Sequence, residues 1–189
     1  PNNPMALLTL GRAHLNFTGD VRKAAEYFYR VLEIDKNQED AHFYLARIGR
    51  STGNMLAAEN HANALLQINP YSVPGLYEMA GIKDALGQPE LAREHLQVVL
   101  DLEPTSAPAN LEMGVSFARQ QMHEESGEYF RRARNLDPDN PQVLYNVGVW
   151  YMVNEEQDQA IQMLSRVVSL APDHRDASYG LGKLYYERN

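Results

Sequence analysis

Pro70, Pro104, Pro138 and Pro172 are spaced 34 residues apart, and each follows a short run like Asn135-Leu136-Asp137-Pro138. A fixed period of this length restricts a chain to architectures that stack one supersecondary unit repeatedly, because a single unit cannot bury its own apolar face. The same period carries small residues in two registers. Ala46, Ala80, Gly114, Gly148 and Gly182 form one, and Ala24, Ala58, Ala92, Ser126 and Ala160 form the other. Small side chains let helix backbones approach, and a larger group at such a contact overpacks it by about 1–3 kcal/mol. Large apolar residues stand just before the first register (Leu10, Leu45, Met79, Met113, Val147, Leu181) or four residues past the second (Phe28, Leu96, Phe130, Leu164). Each unit therefore reads as two amphipathic helices. Breaks fall where turn chemistry allows, at Thr18-Gly19, Gly53-Asn54 and Gly87-Gln88-Pro89, and no strand pattern appears.

Taken together these residues resemble the tetratricopeptide signature of a leading large residue, Leu-Gly, an aromatic, then Ala, Phe and Pro. The fullest copy is Leu144, Val147-Gly148, Tyr151, Ala160, Leu164 and Ala171-Pro172. The resemblance covers the chain and implies an all-α fold, a right-handed α-solenoid of antiparallel helix pairs. In this register one solenoid domain spans 1–189, with repeats at 4–38, 39–72, 73–106, 107–140 and 141–174 and a lone helix at 175–189. The first unit has one extra residue, which places an insertion near Thr18-Gly19, and Lys36 stands where a closing proline is expected. Pro1-Asn2-Asn3-Pro4 copies the handover Pro138-Asp139-Asn140-Pro141, so a further repeat is expected before Pro1 and the chain reads as an excised part of a longer array.

Composition narrows the function classes. Seventeen Lys and Arg against 25 Asp and Glu give a net charge of -8, which repels a phosphate backbone, so no nucleic-acid partner is expected. The chain has no cysteine, which removes disulfides and thiolate chemistry and leaves the compartment open between cytoplasm and periplasm. No apolar run approaches the roughly 20 residues that span a bilayer, so a soluble segment without membrane insertion is expected. The six histidines lack the i, i+4 spacing of a helical zinc pair, and neither a metal nor a cofactor is expected. His123-Glu124-Glu125 has no second His, and Gly180-Leu181-Gly182-Lys183 lacks the hydroxyl residue of a phosphate loop. Gly114-Val115-Ser116-Phe117-Ala118 lacks the last glycine of a nucleophile elbow. The reading is a non-catalytic scaffold for protein–protein interaction, with a docking module of a larger enzyme or a self-assembling scaffold as alternatives.

In the family it resembles, the first helices line a groove through the second, fifth, ninth, twelfth and thirteenth positions of each repeat. Carried over, the fifth positions are Leu8, Phe43, Tyr77, Leu111, Tyr145 and Tyr179. Around Leu111 and Tyr145 lie Val115, Val149 and Met152, an apolar floor of the kind that marks an interaction site. Arg12, Arg47 and Arg50 make the early part basic, and Arg119 borders the apolar part. Arginine's fork suits carboxylates, so the expected partner is a protein or peptide with apolar and acidic residues. The Lys and Asn pairs by which some family members clamp chaperone tails are absent here. Self-association through the C-terminal helix, where Tyr185 and Tyr186 lie, is a further expectation.

Overall fold

The computed structural model describes residues 3–188. The Pro1-Asn2 half of the handover motif, and Asn189 at the end of the expected last helix, lie outside the described residues. Among those described there are eleven α-helices and one π turn, and no strand. One compact unit reaches to Leu102 and holds α1 (Pro4–Ala13), α2 (Val21–Ile34), α3 (Glu39–Ser51), α4 (Met55–Ile68), α5 (Val73–Ala85) and α6 (Pro89–Leu102). A second begins at Glu103 and holds α7 (Ala107–Arg119), α8 (His123–Leu136), α9 (Pro141–Val153), α10 (Gln157–Leu170) and α11 (Arg175–Arg188). Each helix packs chiefly on its sequence neighbour, in the pairs α1/α2, α3/α4, α5/α6, α7/α8 and α9/α10, with α11 set against α10.

The helix boundaries follow from local chemistry. First helices open on side-chain caps: Asn3 accepts from Met5 N at 2.9 Å, and Asn140 accepts from Gln142 N at 3.0 Å. Asn3-Pro4 therefore starts α1 in the way Asn140-Pro141 starts α9, with proline at a position where no N–H is missed. Second helices end on a residue that leaves the helical region: Asn69, Asp137 and Ala171 have φ between -140 and -135. That is the conformation a following proline imposes on its predecessor. Asp35 adopts it as well, at φ -134, although Lys36 follows. Between the two helices of each pair one residue turns left-handed: Gly19, Gly53, Gly87, Gln121 and Glu155, each 34 positions after the last. Glycine tolerates this freely, whereas the last two carry a Cβ against it.

Both small-residue registers lie at helix contacts. Ala24, Ala58, Ala92, Ser126 and Ala160 are 0–1% exposed. In the other register a Cβ on Gly11 would stand 2.6 Å from the Phe28 ring, and one on Gly114 would stand 2.6 Å from that of Phe130. Two members depart from the pattern at the ends. Leu10 is 44% exposed where Leu45, Met79, Met113 and Val147 are buried, and Gly182 faces open space. Neither has a second helix lying over it among the described residues. The extra residue of the first unit is taken up by the π turn at His14–Thr18, in which Gly19 N donates to His14 O. A π turn spaces its bonds one residue wider than an α turn, so the insertion is absorbed there and the left-handed Gly19 stays in phase with Gly53.

Candidate functional site

The first helices of the second unit build an apolar cleft of about 380 Å3. Tyr145, Val149, Met152 and Val153 reach it from α9 at spacings of three and four residues, one helical face. Tyr179 and Gly180 of α11 form the other wall, and buried Leu164 of α10 lies beneath. Asp176 and Lys183 stand at its edge. A Cβ at Gly180 would stand 3.2 Å from a Leu164 methyl and 3.6 Å from the Met152 sulfur, so α9, α10 and α11 meet closely at this floor. The Tyr145 ring is held by the His174 ring, centroids 4.7 Å apart. Tyr179 is 77% exposed, an aromatic left in water beside an apolar floor. The volume lies within the range of about 300–1,000 Å3 typical of ligand clefts.

In the first unit, arginines and aromatic rings share one surface. The Arg12 guanidinium lies 6.0 Å from the centre of the Tyr44 ring, and that of Arg47 lies 5.4 Å from Phe43. Tyr44 is fixed by stacking on Phe28 at 4.9 Å, so the rings are a rigid platform for the cations. Arg12 and Arg47 are exposed and have no carboxylate partner among the described residues. Their N–H groups can therefore donate to an anionic group from outside.

Several of the expected groove residues sit elsewhere. Leu111 is only 5% exposed and packs with Phe130, Val143 and Val147, so it is core rather than groove surface. Leu8, at the same repeat position, is likewise buried at 3%. Arg50 is exposed, but its Nε donates to Glu78 at 3.0 Å, and Glu78 is a buried carboxylate that needs this partner. Arg50 is thus occupied with holding α3 to α5. Val115 packs half-buried against the Leu111 cluster. Tyr77 is half-buried on α5, and Arg119 is exposed in the last turn of α7; neither lines the cleft.

A pair of histidines went unseen in the sequence because 19 residues separate them. His42 Nδ1 and His61 Nδ1 are 3.0 Å apart, and His42 Nε2 lies 2.9 Å from Lys36 O. A carbonyl only accepts, so Nε2 of His42 carries its proton, and in neutral rings His61 Nδ1–H donates to His42 Nδ1. Burial, then the neighbouring His42, pushes the His61 pKa down to about 4. Among the described residues no group of three or more metal-binding side chains forms, and no helix is long and apolar enough to cross a membrane.

The family model described as tetratricopeptide repeat matches residues 8–73, 77–141 and 151–189. No curated protein matches the chain. The structure is similar to a thermophilic TPR protein of Thermus thermophilus, with a TM-score of 0.84 and 20% identity over 97% of this chain and 100% of that one. It is also similar to PilF of Pseudomonas aeruginosa, with a TM-score of 0.81 and 19% identity over 98% and 85%. A third similar structure is YrrB, a TPR protein with an unusual peptide-binding site, at a TM-score of 0.62 and 21% identity over 94% and 91%. At these identities the likeness is one of fold.

Proposed function

Because the chain belongs to the tetratricopeptide repeat family, whose fold serves in general as a scaffold for protein–protein interaction, we propose that it holds an apolar segment of a partner in the cleft between α9 and α11. The observation that carries this reading is the cleft itself, in which Tyr145, Val149, Met152 and Tyr179 converge on an apolar floor with a largely solvent-exposed ring at the edge. A partner side chain entering it removes apolar surface from water on both sides, at about 25 cal/mol per Å2. Asp176 and Lys183 at the edge supply polar contacts that fix orientation. The peptide-binding site named for YrrB is a precedent in the same fold for such a role. The rings and free guanidiniums of Arg12 and Arg47 in the first unit suit acidic residues of a partner. Like family members generally, the chain is read as a non-catalytic scaffold.

The test is selection of apolar peptides on the wild-type protein, followed by their titration against Met152→Glu and Tyr145→Glu. Loss of binding by at least tenfold with an unchanged helical spectrum is expected, and full retention overturns the assignment. A second reading, self-association, draws on uncovered Gly182 and on Tyr186, which is 84% exposed on α11. Light scattering over a concentration series decides it, since a mass that stays at one chain removes it.

A further inference from the structure

We propose that the second unit carries another binding site, for the carboxylate of an acidic peptide segment, in a polar cleft between the C-terminal halves of α8 and α10. This cleft measures about 860 Å3 and shares no lining residue with the apolar one. Its key group is Arg134. The side chain is half-buried in the last turn of α8, and among the described residues it has no carboxylate partner. Its place near the carbonyl end of the helix suits its positive charge. A lone partial dipole leaves the planar fork of donors unfilled, and that fork matches a carboxylate.

The opposite wall shows how this cleft handles such a group. Arg166 donates to Asp139 Oδ1 from Nε at 3.3 Å and from Nη2 at 2.9 Å, so a carboxylate of the chain itself already lies in the cleft. With two arginines and one aspartate the lining is net positive, in a chain whose net charge is -8. Ser165 adds a hydroxyl with no side-chain hydrogen bond among the described residues. Beneath lie Leu144 and Met163, a floor for aliphatic portions of a bound chain. The breadth of the cleft and its apolar floor favour a peptide over a lone anion, since clefts of about 300–1,000 Å3 enclose whole ligands.

The test measures fluorescence anisotropy of a labelled, end-blocked Asp/Glu-rich octapeptide with the whole chain at physiological salt. Arg134→Gln is expected to weaken binding about tenfold, and Arg134→Lys, which keeps the charge and loses the fork, to fall in between. Asp139→Asn frees Arg166 and is expected to tighten binding severalfold. Arg188→Gln changes net charge equally outside the cleft and should have no effect. Binding that falls with Arg47→Gln and not with Arg134→Gln would assign the peptide to the first-unit arginines and overturn this site, so failure here is separable from failure of the proposed function. Circular dichroism verifies that each variant is folded. Equal losses in Arg188→Gln and Arg134→Gln would reveal diffuse attraction and overturn the site. Indifference to Arg134→Gln would do the same, as would displacement of the peptide by an equal concentration of inorganic phosphate.

Discussion

At Gly114 the space that a methyl group would need is filled by the Phe130 ring, 2.6 Å away, and at Gly11 by the Phe28 ring at the same distance. Both rings are buried and cannot swing aside. Gly114→Ala is therefore expected to lower stability by about 1–3 kcal/mol through overpacking. Gly182 holds the same place in the repeat but has nothing within 4 Å. There Gly182→Ala should raise stability by about 0.5–1 kcal/mol, as alanine loses less backbone freedom in a helix. Thermal melts of the two variants should move in opposite directions. His61 supplies a residue-scale prediction in pH. Its pKa in the fold, about 4, lies below the ordinary value of 6.5, so the fold favours the neutral ring. That contribution is whole above pH 6.5 and is lost as pH falls from 6.5 towards 4. Urea midpoints taken at pH 7 and pH 5.5 should drop in the wild type and drop less in His61→Gln.

The turns between paired helices show where strain accumulates in the elements. Gln121 and Glu155 hold φ near +60, where Gly19, Gly53 and Gly87 stand in the earlier turns. A Cβ in that region costs about 1–2 kcal/mol, partly offset by the extra freedom a glycine gains on unfolding. Gln121→Gly and Glu155→Gly are each expected to stabilise by up to about 1 kcal/mol, read as a higher melting temperature with unchanged helix content. The helix pairs themselves were legible in the sequence, because period, caps and small residues all act locally. Ala24 and its four equivalents are buried as their spacing required. The groove was less legible. A position in a repeat fixes a direction on a helix but not what lies above it, so Leu111 was read as surface although Phe130 and Val143 cover it. Arg50 counts as part of the basic strip in the sequence because its carboxylate partner, Glu78, lies 28 residues away. Three- and four-residue spacing puts Tyr145, Val149 and Met152 on one face of α9, which is readable from the sequence, and all three line the apolar cleft.

Across the whole molecule, contacts join mainly helices that are neighbours in sequence, and the chain divides into two compact units at Leu102 and Glu103. In such a chain stability is a sum of local terms rather than the property of one core, and opening is graded. α11 buries only Ala177, Gly180 and Leu184 and packs against α10 with no following helix over it among the described residues. Its amides should exchange with deuterium faster than those of α9, and equal protection would show that the second unit opens as one. The π turn at His14–Thr18 bears on how length is tolerated. One surplus residue is confined to five positions, and Phe17 is turned out to water, 87% exposed, while α2 keeps Ala24 and Phe28 in the core. The turn works as an expansion joint: it takes up a change in chain length where no side chain is fully buried and passes none of it on. Removing Asn16 should let this stretch close into an ordinary helix with little loss of stability, whereas removing one residue from the middle of α2 would rotate the Phe28 face out of the hairpin and unfold it.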